Sequence, residues 1–176
     1  MKKTLPAVLW LSCLLLAAPA AGTLRAAKYP PGLRWREIGR GSFTIVFPAG
    51  RAAEAESALA ASERLAEELG GFWRSRLPGR VRIVLDDSTD QPNGFATFYP
   101  FNLVGINLAE PAPDSELAAS RGWLDLVLAH DLTHLFTLNA ATDLGRFLRR
   151  VFGRLPILYS AAQMPPWALE GLAVYC

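Results

Sequence analysis

Apolar and polar positions along this chain cluster and repeat in ways that predict most of its elements. Phe43-Thr44-Ile45-Val46-Phe47 is β-branched and aromatic and is stopped by Pro48, which predicts a strand. From Ala52 to Leu69, small or apolar residues recur at Ala55, Leu59, Ser62 or Ala66, Leu65 and Leu69. Glu54, Glu56, Glu63, Glu67 and Glu68 fall largely on the other side. That is the spacing of an amphipathic helix, and Gly70-Gly71 is expected to end it. Arg80 to Leu85 alternates and then turns apolar, a second strand, followed by a polar loop from Asp86 to Gly94. Gly94 to Tyr99 and Leu103 to Leu108 predict two strands around the turn Pro100-Phe101-Asn102. Trp123 to Asn139 is apolar nearly all round, so this helix belongs in the middle of a domain, with Ser120 or Asp114 as a candidate cap. Asp143 to Phe152 predicts a short helix with a basic face, and Leu155 to Pro165 a connection. Pro165-Pro166 opens a last helix, proline being favoured in the first turn. The order β, α, β, β-hairpin and then helices predicts an α+β domain with a small mixed or antiparallel sheet.

The length of 176 residues allows one domain with a real core. The first residues, MKKTLPAVLWLSCLLLAAPAAG, carry two lysines, an apolar run and the small-x-small pattern Ala18-Pro19-Ala20. We read residues 1–20 as a secretory signal peptide. An uncleaved anchor is the competing reading, but the run is short and broken by Pro6 and Pro19. Cleavage after Ala20 leads to a secreted, periplasmic or envelope location and leaves membrane association to the signal segment. It also removes Lys2 and Lys3, so that 18 basic against 16 acidic residues becomes 16 against 16. A neutral mature chain gives no reason to expect nucleic acid or an anionic membrane as a partner. Only Cys176 would remain of the two cysteines, which leaves no internal disulfide framework. Residues 21–40, rich in Gly, Pro and basic residues, are expected to form an extended lead-in, and 41–176 the domain. The segment MPPWALEGLAVYC stops while still helical and apolar, so the natural chain is expected to continue.

The candidate chemistry lies in LAHDLTHLF, residues 128–136. His130 and His134 are the only two histidines. Four residues of helix turn through roughly 400°, so both rings leave from nearly the same face and two imidazole nitrogens can meet one ion at about 2.0–2.1 Å. The competing reading is a pair of hydrogen-bonded core histidines. Glu170 is the one acid in the final apolar helix, where an unpaired carboxylate would be costly and coordination would offset the cost. Two histidines and a glutamate make the open type of site that leaves a position for water. Zinc suits that donor set, whereas magnesium or calcium would want more oxygens. An exposed acid near a helix N-terminus is the other reading of Glu170.

LAHDLTHLF followed by PPWALEGLAVY resembles the gluzincin metallopeptidases, and within them the secreted bacterial peptidase MA-like group, whose pattern is H-E-x-x-H and then P-x-W-x-x-E-G-x-A. The similarity covers roughly residues 35 to 176. It implies a zincin-like fold, with a sheet packed on an active-site helix and a later helix bearing the glutamate. It also implies zinc held by His130, His134 and Glu170, with residue 131 as general base for hydrolysis of a peptide or protein substrate. Asn93-Gly94-Phe95-Ala96-Thr97 resembles the segment before the active helix. By that likeness Gly94, Phe95, Ala96 and Thr97 form the edge strand along which an extended substrate pairs. In some relatives a β-propeller-like region follows, which would be a further C-terminal domain.

The departure from the pattern is Asp131. A general base contributes about 10²–10⁴-fold and must come within about 2.6–3.2 Å of its water. Aspartate holds its carboxylate about 1.5 Å closer to the helix than glutamate, and a misplacement on the order of 1 Å can cost about 10²-fold. Weakened or lost hydrolysis with metal retained is therefore expected. Two readings stay open: a slow zinc peptidase, and a catalytically silent metal-binding domain with a structural or partner-binding role in the envelope. A third is an α+β module without metal. No oxyanion donor is assigned. Tyr175, Thr133 and Trp167 read as packing residues, and Arg146, Arg149, Arg150 and Arg154 as a solvated helix face.

Overall fold

Strand β1, Trp35–Arg40, turns back into β2, Phe43–Pro48, through Gly41 and Ser42, and the two pair antiparallel from Arg40 opposite Phe43 to Trp35 opposite Pro48. Gly41 has φ 56°, a left-handed conformation that a tight hairpin turn asks of its first residue. The computed structural model describes residues 32–91, 93–109, 122–159 and 164–175, all within the unit Gly32–Cys176. The expected signal peptide 1–20 and the start of the lead-in lie outside the described residues. The end of the lead-in is not merely extended chain: residues 35–40 are β1. Its residues are half-buried or exposed, as an edge strand tolerates, so it carries no apolar face for the sequence to announce.

Alternation in β2 sends Phe43, Ile45 and Phe47 inward and leaves Thr44 and Val46 partly exposed. Helix α1, Ala52–Trp73, buries Ala55, Leu59, Ser62, Leu65 and Leu69, as its spacing predicts, and Ala58 and Ala61 besides. Gly70-Gly71 does not end it. The helix runs to Trp73, which packs against the core, and stops where Arg74 turns left-handed at φ 46°. Strand β3, Val81–Asp86, is followed by β4, Gly94–Thr97, and β5, Asn102–Asn107. Together they form a five-stranded mixed sheet in the order β1-β2-β3-β5-β4. β2, β3 and β5 run parallel, while β1 and β4 lie antiparallel at the two edges. β3 and β5, with neighbours on both sides, supply Val81, Ile83, Leu85, Val104 and Ile106, all fully buried.

Three helices follow. Helix α2, Trp123–Asn139, has the predicted bounds; its N-cap is Gly122, with no side-chain cap, and the candidates Ser120 and Asp114 lie outside the described residues. It packs on α1, β4 and β5 and buries Leu128, Leu132, Leu135 and Phe136. Helix α3, Asp143–Phe152, also has its predicted bounds and is capped by Thr142, whose side chain accepts from the Gly145 N–H at 3.2 Å. After a 3-10 turn, Pro156–Leu158, helix α4, Pro166–Tyr175, lies against α2. The architecture is thus mixed α/β, in agreement with the α+β expectation. No helix of the described residues is long and apolar enough to cross a membrane.

The C-terminal end of α2 is tied down by a polar network. Asn139 Nδ2 donates to Asn102 Oδ1 at 3.1 Å, and Asn102 Nδ2 donates to the Pro78 carbonyl at 2.8 Å. Arg154 donates to the Phe98 carbonyl at 2.6 Å and to Asn102 Oδ1 at 3.1 Å. Arg149 stacks over the Tyr159 ring at 3.6 Å and donates to the carbonyls of Asn139 (2.8 Å), Ala140 (3.1 Å) and Leu158 (3.0 Å). Arg149 and Arg154 are therefore not a solvated face as expected but clamps between α3 and the rest of the domain. Asn102, expected in a turn, is the buried first residue of β5.

Candidate metal centre

The four-residue step from His130 to His134 along α2 puts the two rings on one face, meeting edge to face with centroids 4.6 Å apart and planes at 86°. Their Nε2 atoms lie 3.0 Å from each other. Glu170, from α4, brings Oε2 to 3.3 Å from His130 Nε2 and 3.5 Å from His134 Nε2. Ligand atoms at about 2.0–2.1 Å around a tetrahedral ion sit roughly 3.3 Å apart. The three observed separations bracket that value. Among the described residues, this is the one cluster of His, Cys, Asp or Glu groups able to hold a metal. The same 3.0 Å contact is also a hydrogen-bond distance, so the pair can satisfy each other without an ion.

Burial grades across the cluster. The side chain of His134 is 13% exposed, that of His130 36% and that of Glu170 63%. Burial, with the charge of His130, holds His134 below the usual imidazole range against the opposing pull of Glu170. A neutral imidazole is the form that binds a metal. The exposure of Glu170 corrects the sequence argument for it: no burial cost demands a cation there. What favours one is the convergence of its oxygen on two ring nitrogens.

Asp131 points elsewhere. It is 3% exposed, and its Oδ2 has no hydrogen-bond partner. That oxygen faces β4 so closely that a Cβ built on Gly94 would lie 2.4 Å from it and 3.0 Å from Val127 Cγ1. Glycine at 94 is what lets the strand pass over the carboxylate. Burial, reinforced by the charge of Glu170, pushes the Asp131 carboxyl up to about 7.

A cleft of about 1170 Å³ joins these groups, lined by His130, Asp131, His134 and Glu170 and by Gly94, Phe95 and Ala96 of β4. Thr97, the fourth residue expected there, does not line it; its hydroxyl engages the backbone of Tyr99 at 3.2 and 3.3 Å. Phe95 lays its ring over Gly105, where an added Cβ would meet it at 2.2 Å. The rest of the wall is apolar, including Leu126, Leu138, Leu169, Ala173 and Val174. Sequence reasoning placed most of these residues in its helices but did not assign them to the site. Leu126, Leu138, Ala173 and Val174 lie three or four positions from a ligand, so the helical period around each ligand would have found them, while Leu169, adjacent to Glu170, would not have been found that way. Tyr175 and Trp167, expected to pack, are 79% and 77% exposed; Tyr175 lines the cleft and tilts against Phe72 at 6.4 Å. Thr133 is buried and bonds the Ala129 carbonyl at 2.8 Å, the packing role expected of it. No protein-family model and no curated protein matches the chain.

Proposed function

We propose that this chain is a zinc-dependent peptidase domain of gluzincin type whose hydrolytic step is slowed by Asp131. The observation that carries the reading is the convergence of His130 Nε2, His134 Nε2 and Glu170 Oε2 at separations a tetrahedral ion requires. The arrangement of elements supports a zincin-like fold: a mixed sheet with an antiparallel edge strand, a buried helix bearing both histidines, and a later helix bearing the glutamate. His130, His134 and Glu170 would hold the zinc ion, which would supply Lewis-acid polarisation of a carbonyl and activation of a water. The remaining work falls to this chain's own groups. β4 borders the cleft at the edge of the sheet, so its outer backbone groups are placed to pair with an extended peptide. The apolar wall accepts apolar side chains of that peptide. Asp131, which borders the same cleft but turns its carboxylate toward β4, is the acid that would take the proton of the attacking water, and that orientation is in keeping with a slowed step. In keeping with the leading segment, we read the domain as exported, acting outside the cytoplasm or in the envelope.

A second reading, a metal-binding domain that does not cleave, is favoured by the burial of Asp131 Oδ2 against Gly94. One measurement tests both readings and a second separates them. Metal analysis of protein purified without chelator is expected to find zinc; protein that is zinc-free and takes up none when it is added ends both. Unstructured peptides are expected to be cleaved slowly by the wild type and about 10²-fold faster by Asp131→Glu, whose longer side chain restores the reach of the base. Cleavage by the variant alone replaces the first reading with the second.

A further inference from the structure

Gly94 sits where β4 crosses Asp131, and α2 decides what else that carboxylate can touch. At roughly 100° per residue, His130 and His134 lie to one side of Asp131, and Leu128, Leu132 and Leu135 to the other. The leucine side is closed: all three are fully buried in the core, and a carboxylate among them would be costly. The histidine side opens into the cleft, which Asp131 borders together with both rings. A third space lies against β4, and it exists only because residue 94 has no side chain. A Cβ there would fall well inside contact distance of Asp131 Oδ2, and Val127 Cγ1 would be 3.0 Å from the same point. The oxygen gains no hydrogen bond in this space, since the Gly94 N–H donates to Asn93 Oδ1 at 2.9 Å. Nor does the backbone ask for glycine. Gly41, Gly50, Gly79 and Gly153 have positive φ, but Gly94 does not. A glycine inside a strand without that need marks a close approach by another group.

We propose, on the peptidase reading above, that Gly94 is a positioning residue: the gap it leaves in β4 takes up the Asp131 carboxylate and holds it away from the histidine side of the cleft. The slowed step then has a second cause beside the short side chain. A methyl at position 94 fills the gap, and the carboxylate, at the end of a flexible side chain, gives way. With the leucine side packed, its way out is toward His130 and His134. The shift needed to reach ordinary contact is about 1 Å, the scale on which the placement of a reacting group changes rates by about 10²-fold. Filling the gap is therefore expected to speed the reaction, which a role of glycine in folding alone would not do.

The test compares Gly94→Ala with the wild type, Asp131→Glu, Asp131→Ala and Gly94→Ala/Asp131→Ala, each as the full chain loaded with zinc and given unstructured peptides. Gly94→Ala is expected to raise kcat about tenfold while KM stays within about twofold. The gain is expected to vanish in the Asp131→Ala background, because it acts through the carboxylate. Loading with cobalt(II) in place of zinc gives a readout without turnover. A carboxylate brought toward the metal tunes it, so the visible spectrum is expected to change on Gly94→Ala in the wild type and not in Asp131→Ala. Circular dichroism shows whether the variants fold; if Gly94→Ala does not, Gly94→Ala/Val127→Ala removes the second contact and takes its place. An unchanged or lowered kcat in the folded variant, while Asp131→Glu is faster than the wild type, overturns the role of Gly94 and leaves the peptidase reading standing. A gain that persists without Asp131 overturns it too. Cleavage by none of the proteins ends the peptidase reading instead; cobalt spectra that Gly94→Ala leaves unchanged then overturn the placement of the carboxylate, and changed ones uphold it.

Discussion

Helix α2 carries two polar clusters, and they differ in how completely their groups are satisfied. At its C-terminal end, Asn139, Asn102, Arg149 and Arg154 form a network in which each guanidinium and amide donor named above meets a carbonyl or amide oxygen. Two turns earlier, His130 and His134 contact each other and Glu170, and Asp131 buries an oxygen with no hydrogen-bond partner. The first cluster is closed and fixes where the helix ends. The second is open, with donor atoms aimed at a shared point. A saturated network gives rigidity, whereas a buried polar group left without a partner calls for a functional explanation.

The contrast can be broken in order of effect. Removing even an outer partner of a metal site costs about 10–100-fold in affinity, so His134→Ala is expected to weaken zinc binding by at least that factor. The wild type, but not the variant, should then lose thermal stability on chelation, since a ligand bound only by the folded state stabilises it by about 2.7 kcal/mol at a hundredfold excess over Kd. Equal melting temperatures with and without chelator in the wild type would remove the metal from the account. Arg154→Ala should do the reverse. It leaves the Phe98 carbonyl and Asn102 Oδ1 without their charged donor and is expected to cost about 2–4 kcal/mol in chemical denaturation, while the folded fraction still binds zinc at full stoichiometry.

Asp131→Asn sharpens the picture of the open cluster in chelated protein. The folded-state pKa of about 7 is above the ordinary carboxylate range, so the buried acid keeps its proton better in the fold than in the unfolded chain. Its contribution to stability is full below about pH 4 and is lost as pH rises through about 7. Asparagine is therefore expected to gain on the wild type between those limits, by on the order of 1–3 kcal/mol at pH 8, with no gain at pH 4. A difference independent of pH in denaturant titrations would contradict the burial of this carboxylate. The smallest effect is that of Gly94→Ala, whose methyl meets Asp131 Oδ2: about 1–2 kcal/mol in the wild type and less than about 1 kcal/mol in Asp131→Ala, a coupling that a double-mutant cycle reads directly.

How much of this was legible depended on how local the signal is. Helices α2 and α3 appear with their predicted bounds because a continuous helical composition is a short-range feature, while the caps Gly122 and Thr142 were not among the expectations. The histidine pair was legible for the same reason, its geometry being a property of one helix. Glu170 was selected correctly as a neighbour of the histidines but for a burial it does not have. β1 was missed because an edge strand needs no apolar face. The roles of Arg149 and Arg154 were missed because their partners lie in other elements: the bond from Arg154 to Phe98 spans 56 positions, and no local period encodes it. The exposure of Leu144, Phe147 and Val151 on α3 was likewise invisible. The pattern shows that a helix has two faces, but which one turns inward depends on anchors supplied from elsewhere.

The sheet order has one more consequence. β4 precedes β5 in the chain but lies outside it, with a single strand neighbour and four residues. Peeling β4 away leaves β1, β2, β3 and β5 contiguous, so one rim of the cleft can detach while the core stays shut. Its amides would then trade hydrogen with solvent by local opening, long before those of β3.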